Sequence, residues 1–175
     1  MLNSFLLHGF LPDSFMTVIF KPIFKKGGSV SDWNSYRPIA LANCVSKLFE
    51  KLLRDKLCTY LYSSPNQFGY KKKYGTELCL YTFKQIVDFY NASNSNVYCC
   101  FLDASRAYDR VSHKKLFNRN VPCIFIRILA FWYNYQTLVM KWGSCFSTSF
   151  SVTNGVRQGS VLSPYLFLYL CRCNQ

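Results

Sequence analysis

A mixed α+β fold, an antiparallel sheet with helices packed against it, is what this sequence predicts, and three observations carry that reading. Between residues 45 and 61 the apolar positions Val45, Leu48, Phe49, Leu52, Leu53, Leu57, Tyr60 and Leu61 recur every three or four residues, the spacing of one face of a helix. Residues 97–102 form a short continuous apolar run bounded by polar ones, as in a strand buried on both faces. Residues 146–152 alternate strictly: Phe146, Thr148, Phe150 and Val152 point one way, and three serines point the other.

In chain order, Thr17–Phe24 is the first strand candidate, and Pro22 makes it an edge strand or an irregular one, because proline has no N–H for a ladder. A polar, glycine-containing loop follows to Tyr36, with Lys25 and Lys26 at its start. After the 45–61 helix, residues 63–75 collect Pro65, Asn66, Gly69, Gly75 and the run Lys71, Lys72, Lys73, which is the composition of a basic loop. Thr76 then caps a second helix whose Cys79, Phe83, Ile86, Val87 and Tyr90 share a face. Beyond the 97–102 strand, Ser112 caps a short helix, and Pro122 opens the first turn of another that reaches about Tyr135. Residues 138–142 pair with 146–152 across Gly143 and Ser144 as a hairpin. Gly155 to Gly159 lead into an apolar helix that starts near Ser163 and Pro164.

The 175 residues are 50% hydrophobic and 18% aromatic, which excludes intrinsic disorder, since disordered chains lack the apolar surface to offset the entropy of ordering. The length suits one domain or part of one. The longest apolar-rich stretches are interrupted by Lys21 or Pro164 and fall short of the roughly 20 residues that span a bilayer. The first ten residues have neither a basic region nor a small-residue cleavage site, so no secretory signal is expected and the setting is intracellular, in cytoplasm or nucleus. Nine cysteines contain no C-x-x-C and no zinc-type spacing with histidine. They read instead as small hydrophobes in apolar runs within a reducing compartment. With 21 basic against 8 acidic side chains the net charge is +13. A field of that sign attracts polyanions, so nucleic acid or a nucleotide is the first partner to consider, with an anionic membrane surface as the competing explanation.

The eight acids are Asp13, Asp32, Glu50, Asp55, Glu77, Asp88, Asp103 and Asp109. Most fall on loops or polar helix faces, where solvation explains them. Asp103 differs, because it follows the 97–102 run at the carboxyl end of a buried strand, where a charge is costly unless it is paired or binds a cation. A salt-bridged or capping aspartate remains the alternative at that position. Asp109, six residues on, reads as the cap of the 110–117 segment.

Three blocks combine these pieces. They are Asn34-Ser35-Tyr36-Arg37-Pro38-Ile39-Ala40-Leu41, preceded by Pro22-Ile23-Phe24-Lys25-Lys26-Gly27; Phe101-Leu102-Asp103-Ala104-Ser105-Arg106-Ala107-Tyr108-Asp109-Arg110-Val111; and Gly155-Val156-Arg157-Gln158-Gly159-Ser160-Val161-Leu162-Ser163-Pro164-Tyr165-Leu166-Phe167. In this order and spacing, with Gln67-Phe68-Gly69-Tyr70 between, the sequence resembles the reverse transcriptase domain of non-LTR (LINE-type) retrotransposons. The resemblance implies RNA-directed DNA polymerisation on a right-hand polymerase fold, of which fingers and the first part of the palm are present. Residues 11–175 would be that partial domain and residues 1–10 a lead-in.

On that resemblance Asp103 is the catalytic carboxylate and first ligand of Mg2+, which in this family clamps the attacking and leaving oxygens of nucleotidyl transfer. Backbone from Ala104 to Ala107 lines the triphosphate, and Tyr108 is the aromatic wall that excludes a ribose 2′-hydroxyl. Arg37, with Lys25 or Lys26, neutralises the phosphates, since a guanidinium offers two parallel donors. Gln158 and Gly159 face the nucleotide and the template strand, where a glycine permits close approach. Lys71, Lys72 and Lys73, with Tyr70 and Tyr74 around them, hold template phosphates while rings stack on bases. From the residues alone, a packed palm aromatic explains Tyr108 equally, a solvated basic loop explains Lys71, Lys72 and Lys73 equally and is the commoner explanation of Lys25 and Lys26, and a surface turn is the alternative for Gln158. RNA template, DNA primer and deoxynucleotides are the implied partners, with no membrane.

One departure matters. The family carries two adjacent aspartates after the Gly-Gln-Gly block, and here no acid follows Asp109. The resemblance is therefore to a truncated piece, and these residues alone are expected to be catalytically incompetent, because magnesium needs several anionic oxygens to replace its water. The alternative function is a non-catalytic, basic nucleic-acid-binding remnant.

Overall fold

A computed structural model describes residues 2–60, 64–117 and 121–172. The chain divides into two compact units, one made of Met1–Tyr62 with Ala107–Gln175, the other of Ser63–Arg106. The expected 45–61 helix ends at Leu57, and its Leu61, like the tail 173–175, lies outside the described residues.

The first unit is built from helices and a four-stranded sheet. Its helices are α1 (Leu2–His8), α2 (Asp13–Met16), α3 (Cys44–Leu57), α5 (His113–Phe117), α6 (Cys123–Tyr135) and α7 (Ser163–Arg172), with α4 (Thr76–Ala92) in the other unit. The strands are β1 (Thr17–Phe24), β2 (Tyr36–Leu41), β3 (Thr137–Trp142) and β4 (Cys145–Phe146), in the order β2-β1-β3-β4. The sheet is mixed rather than antiparallel: β1 pairs antiparallel with β2 but parallel with β3. A parallel neighbour needs a long crossover, and here α3 and α6 lie in the chain between the two strands.

Strand β1 is therefore central, not the edge that Pro22 suggested. Its ladder with β3 stops at Phe20, so Pro22 sits where only β2 is alongside, opposite Pro38, and its missing N–H costs no bond to β3. The β3–β4 hairpin forms as expected, yet β4 is only two residues long. Lys141 pairs with Phe146, but Leu138 pairs with Phe150, one residue out of step. The extra residue is absorbed as a bulge at Ser147, whose N–H donates to the Met140 carbonyl at 2.9 Å while its Oγ accepts the Met140 N–H at 2.9 Å.

Helix α3 starts where Asn43 caps it, the side-chain oxygen accepting the Ser46 N–H at 2.8 Å. It buries Phe49, Leu53 and Leu57 against Phe15, Ile128, Trp132, Leu162 and Leu166 in one core cluster. Phe5 of α1 packs edge-on against Phe15 and Phe49, and the Trp132 indole N–H donates to the Phe15 carbonyl at 3.1 Å. Helix α5 is capped by Ser112, whose Oγ accepts the Lys115 N–H. Since the helix begins only at His113, Asp109 does not cap it.

In the second unit α4 forms over the expected residues, with Gly75 rather than Thr76 at its N-cap, and it buries no residue. The 97–102 run is not a strand. No strand among the described residues pairs with it, and Tyr98, Phe101 and Leu102 are 91%, 82% and 94% exposed. An apolar run states a demand for burial without naming the strands that meet it. The described cysteines, Cys44, Cys58, Cys79, Cys99, Cys100, Cys123 and Cys145, are exposed rather than packed as small hydrophobes, because an apolar neighbourhood in sequence does not decide which way a side chain faces.

Candidate nucleotide and nucleic-acid site

The segment from Gly155 to Val161 is fastened along its length. The Gly155 N–H donates to the Val111 carbonyl at 2.8 Å and the Val156 N–H to the Tyr108 carbonyl at 2.9 Å, while His113 Nε2 lies 2.7 Å from the Gly155 oxygen. Gly159 has φ +99°, and a Cβ there would stand 3.0 Å from the Ala40 carbonyl oxygen, so this is a close approach of backbone to β2 that glycine alone permits without strain. The Ala40 N–H donates to the Gln158 carbonyl at 2.6 Å. Tyr108, Gln158, Gly159 and the strand carrying Arg37 are thereby brought together.

Behind this segment lies a buried charged cluster. The Arg157 guanidinium donates through Nε to Gln136 Oε1 at 2.8 Å, and its Nη1 lies 3.8 Å from Glu50 Oε1, both side chains being 4% exposed. The guanidinium carbon sits 5.1 Å from the Trp132 ring centroid and 5.8 Å from that of Tyr133, within cation–π range. Glu50 Oε2 accepts the Ser160 hydroxyl at 2.8 Å and the Val161 N–H at 2.6 Å, just ahead of α7. Burial holds Arg157 below the usual arginine range, with Tyr133 and Glu50 opposing that drop. Burial also pushes the Tyr133 phenol up to about 12.

That shift has a readable consequence. Because the folded phenol titrates above its unfolded value near 10, its stabilising contribution is complete below pH 10 and is lost as pH rises through about 12. Urea unfolding at pH 9 and pH 11.5 should show Tyr133→Phe losing less stability than the unsubstituted chain, by up to about 2 kcal/mol. An equal loss in both would place the phenol in contact with water.

The remaining expected residues fall as follows. Tyr108 is half-buried, its ring edge-on to Phe167 with centroids 5.3 Å apart. Arg37 and Lys26 are exposed; Lys25 is half-buried and donates through Nζ to the Asn34 carbonyl at 2.7 Å. Asp103 and Ala104 belong to the other unit, in an exposed stretch of irregular backbone rather than at the end of a buried strand. Lys71, Lys72 and Lys73 lie in that unit too. The Lys71 ammonium is 4.2 Å from the Tyr74 ring centroid, and Tyr70 is 59% exposed.

The residue most clearly missed by sequence reasoning is Glu50, read as a solvated acid and found 3% exposed. A signal existed: it sits three residues before Leu53 and seven before Leu57, on the apolar face of α3. Gln136 and His113 carried no such signal, since their partners, Arg157 and Gly155, lie 21 and 42 residues away.

The chain matches the reverse transcriptase (RNA-dependent DNA polymerase) family over residues 23–171. It belongs to that family. Among known reverse transcriptases it is 33% identical to the RNA-directed DNA polymerase from mobile element jockey of Drosophila funebris, over 94% of this chain and 19% of that protein. It is 29% identical to the probable RNA-directed DNA polymerase from transposon X-element and 28% identical to that from transposon BS, both of Drosophila melanogaster and with the same coverage. This reverse transcriptase chain thus spans about a fifth of the length of the curated relatives it matches. Among its described residues no helix is long and apolar enough to cross a membrane.

Proposed function

We propose that the chain is the part of a non-LTR retrotransposon reverse transcriptase that receives the incoming deoxynucleotide and the RNA template. Residues 11–175 are its partial domain, fingers and the first part of the palm, with residues 1–10 leading in. The observation that supports this reading is the lacing of the Gly155–Val161 segment to both the Tyr108 backbone and β2, since it gathers residues from three sequence blocks. Tyr108 walls the sugar, Gln158 and Gly159 meet the base and template, and Arg37 with Lys25 and Lys26 meets phosphate. Ala104 lines the triphosphate, and Lys71, Lys72 and Lys73 hold template phosphates with Tyr70 and Tyr74 beside them.

The family's chemistry uses divalent ions. Among the described residues no three His, Cys, Asp or Glu side chains group as a cation cage. Asp103 offers a single carboxylate from an exposed stretch, and one anionic donor does not replace the water of two magnesium ions. These residues do not fit a two-ion site by themselves. Asp103 is the anionic donor that this segment contributes to the polymerase, and the 175 residues alone extend no primer.

Binding tests the reading. On single strands each neutralised phosphate adds about −0.7 to the slope of log affinity against log salt, so a footprint of five phosphates gives a slope of about −3.5. A fourfold rise in salt should then weaken single-stranded RNA binding by about two orders of magnitude. Replacing Lys71, Lys72 and Lys73 by alanine should bring the slope toward zero by about 2. Salt-independent binding, or none at low salt, would overturn the nucleic-acid reading.

A further inference from the structure

One face of the four-stranded sheet runs from core to solvent. At its inner end Val18, Ala40 and Leu138 are buried together. At its outer end stand Phe24, Tyr36 and Trp142, one from each of β1, β2 and β3. The Tyr36 ring is 5.3 Å from that of Phe24 and 5.0 Å from that of Trp142, centroid to centroid, with interplanar angles of 60° and 58°. Trp142 thus reaches across the intervening β1 to a ring two strands away. The Tyr36 hydroxyl donates to the Val30 carbonyl at 3.0 Å, which fixes the central ring. The cluster is nonetheless open: Phe24 is 43% and Trp142 56% exposed.

We infer that Phe24, Tyr36 and Trp142 form a stacking platform for unpaired bases of a single-stranded RNA, an inference that rests on the nucleic-acid reading above. Charge complementarity names the occupant. Lys25 and Lys26 follow Phe24 directly in the loop at the rim of the rings. Arg37 follows Tyr36 and Lys141 precedes Trp142, each on the opposite sheet face, where they add to the positive field. Rings bordered by cations suit a polyanion that carries flat aromatic bases, because every base has a π-face to stack and a phosphate to neutralise. These residues are distinct from the lysine loop at 71–73, which lies in the other unit.

The experiment uses the 175-residue chain with two dye-labelled probes of equal length and charge, an unstructured oligouridylate and its abasic counterpart, followed by fluorescence anisotropy. The chain should bind the base-bearing probe about tenfold or more tightly than the abasic one, at equal salt slopes, since stacking adds affinity without releasing counterions. Trp142→Ala and Tyr36→Leu should remove most of that preference and leave the salt slope unchanged, and Trp142→Phe should retain it. Equal binding of the two probes by the unsubstituted chain, a comparison that needs no variant, would overturn the platform while leaving nucleic-acid binding intact. A preference that survives both substitutions would overturn it as well. Binding of neither probe would overturn the platform together with the function proposed above.

Discussion

Truncating Arg157 to alanine is expected to cost about 3–5 kcal/mol of folding stability, the range for removing one member of a buried ion pair. The reason lies less in the pair's own strength than in what is left behind. At 3.8 Å the Arg157–Glu50 contact is too long for a hydrogen bond, and among the described residues the Nη1 and Nη2 groups make none. A pair of that geometry does little better than well-packed apolar side chains. Without the guanidinium, however, Glu50 remains 3% exposed with no cation opposite, while Gln136 loses its donor and Trp132 and Tyr133 lose the group lying over them. Since a domain's total stability is about 5–15 kcal/mol, the variant should sit near its unfolding midpoint at modest urea. Glu50→Gln combined with Arg157→Met should lose clearly less than the sum of the single variants, because it removes both charges at once. Urea unfolding followed by circular dichroism reads the unsubstituted chain, Arg157→Ala, Glu50→Gln, Arg157→Met and the double variant, and additive losses in the last would mean that the two side chains are not coupled.

How much of this was legible in the sequence follows from which interactions are local. Helices α3, α4 and α6 were readable because their apolar residues and their approximate starts are written within one stretch of chain, although the caps Asn43 and Gly75 were not read. Strand β2 was not, since Pro38 argues against a strand and is tolerated because β2 lies at the edge of the sheet, where its missing N–H faces away from β1. The parallel β1–β3 pairing joins residues about 120 apart in sequence, such as Val18 and Leu138, and neither strand's pattern encodes its partner's direction. For the 97–102 run, sequence gave burial preference alone; the described residues supply no neighbouring strand. The site shows the same division. The residues of the three sequence blocks were evident from their motifs, whereas Glu50, Gln136 and His113 act through contacts 110, 21 and 42 residues away.

Asp103 carries the other large effect. If it supplies the anionic donor of this segment, its loss should abolish nucleotide incorporation rather than weaken it, because a missing metal-ligating oxygen cannot be replaced by a neutral side chain. Tyr108→Ala should act differently, admitting ribonucleotides while leaving deoxynucleotide incorporation measurable, as removal of a steric wall does. The measurement is primer extension by a chimera in which this chain replaces the matching segment of the jockey polymerase of Drosophila funebris, to which it is 33% identical. The chimera should incorporate deoxynucleotides on an RNA template, Asp103→Ala and Asp103→Asn should both reduce this to background, and the isolated 175 residues should extend nothing. Undiminished extension by the Asp103→Ala chimera would contradict the assignment and move the catalytic carboxylate elsewhere among the eight acids, and extension by the isolated chain would contradict its expected incompetence.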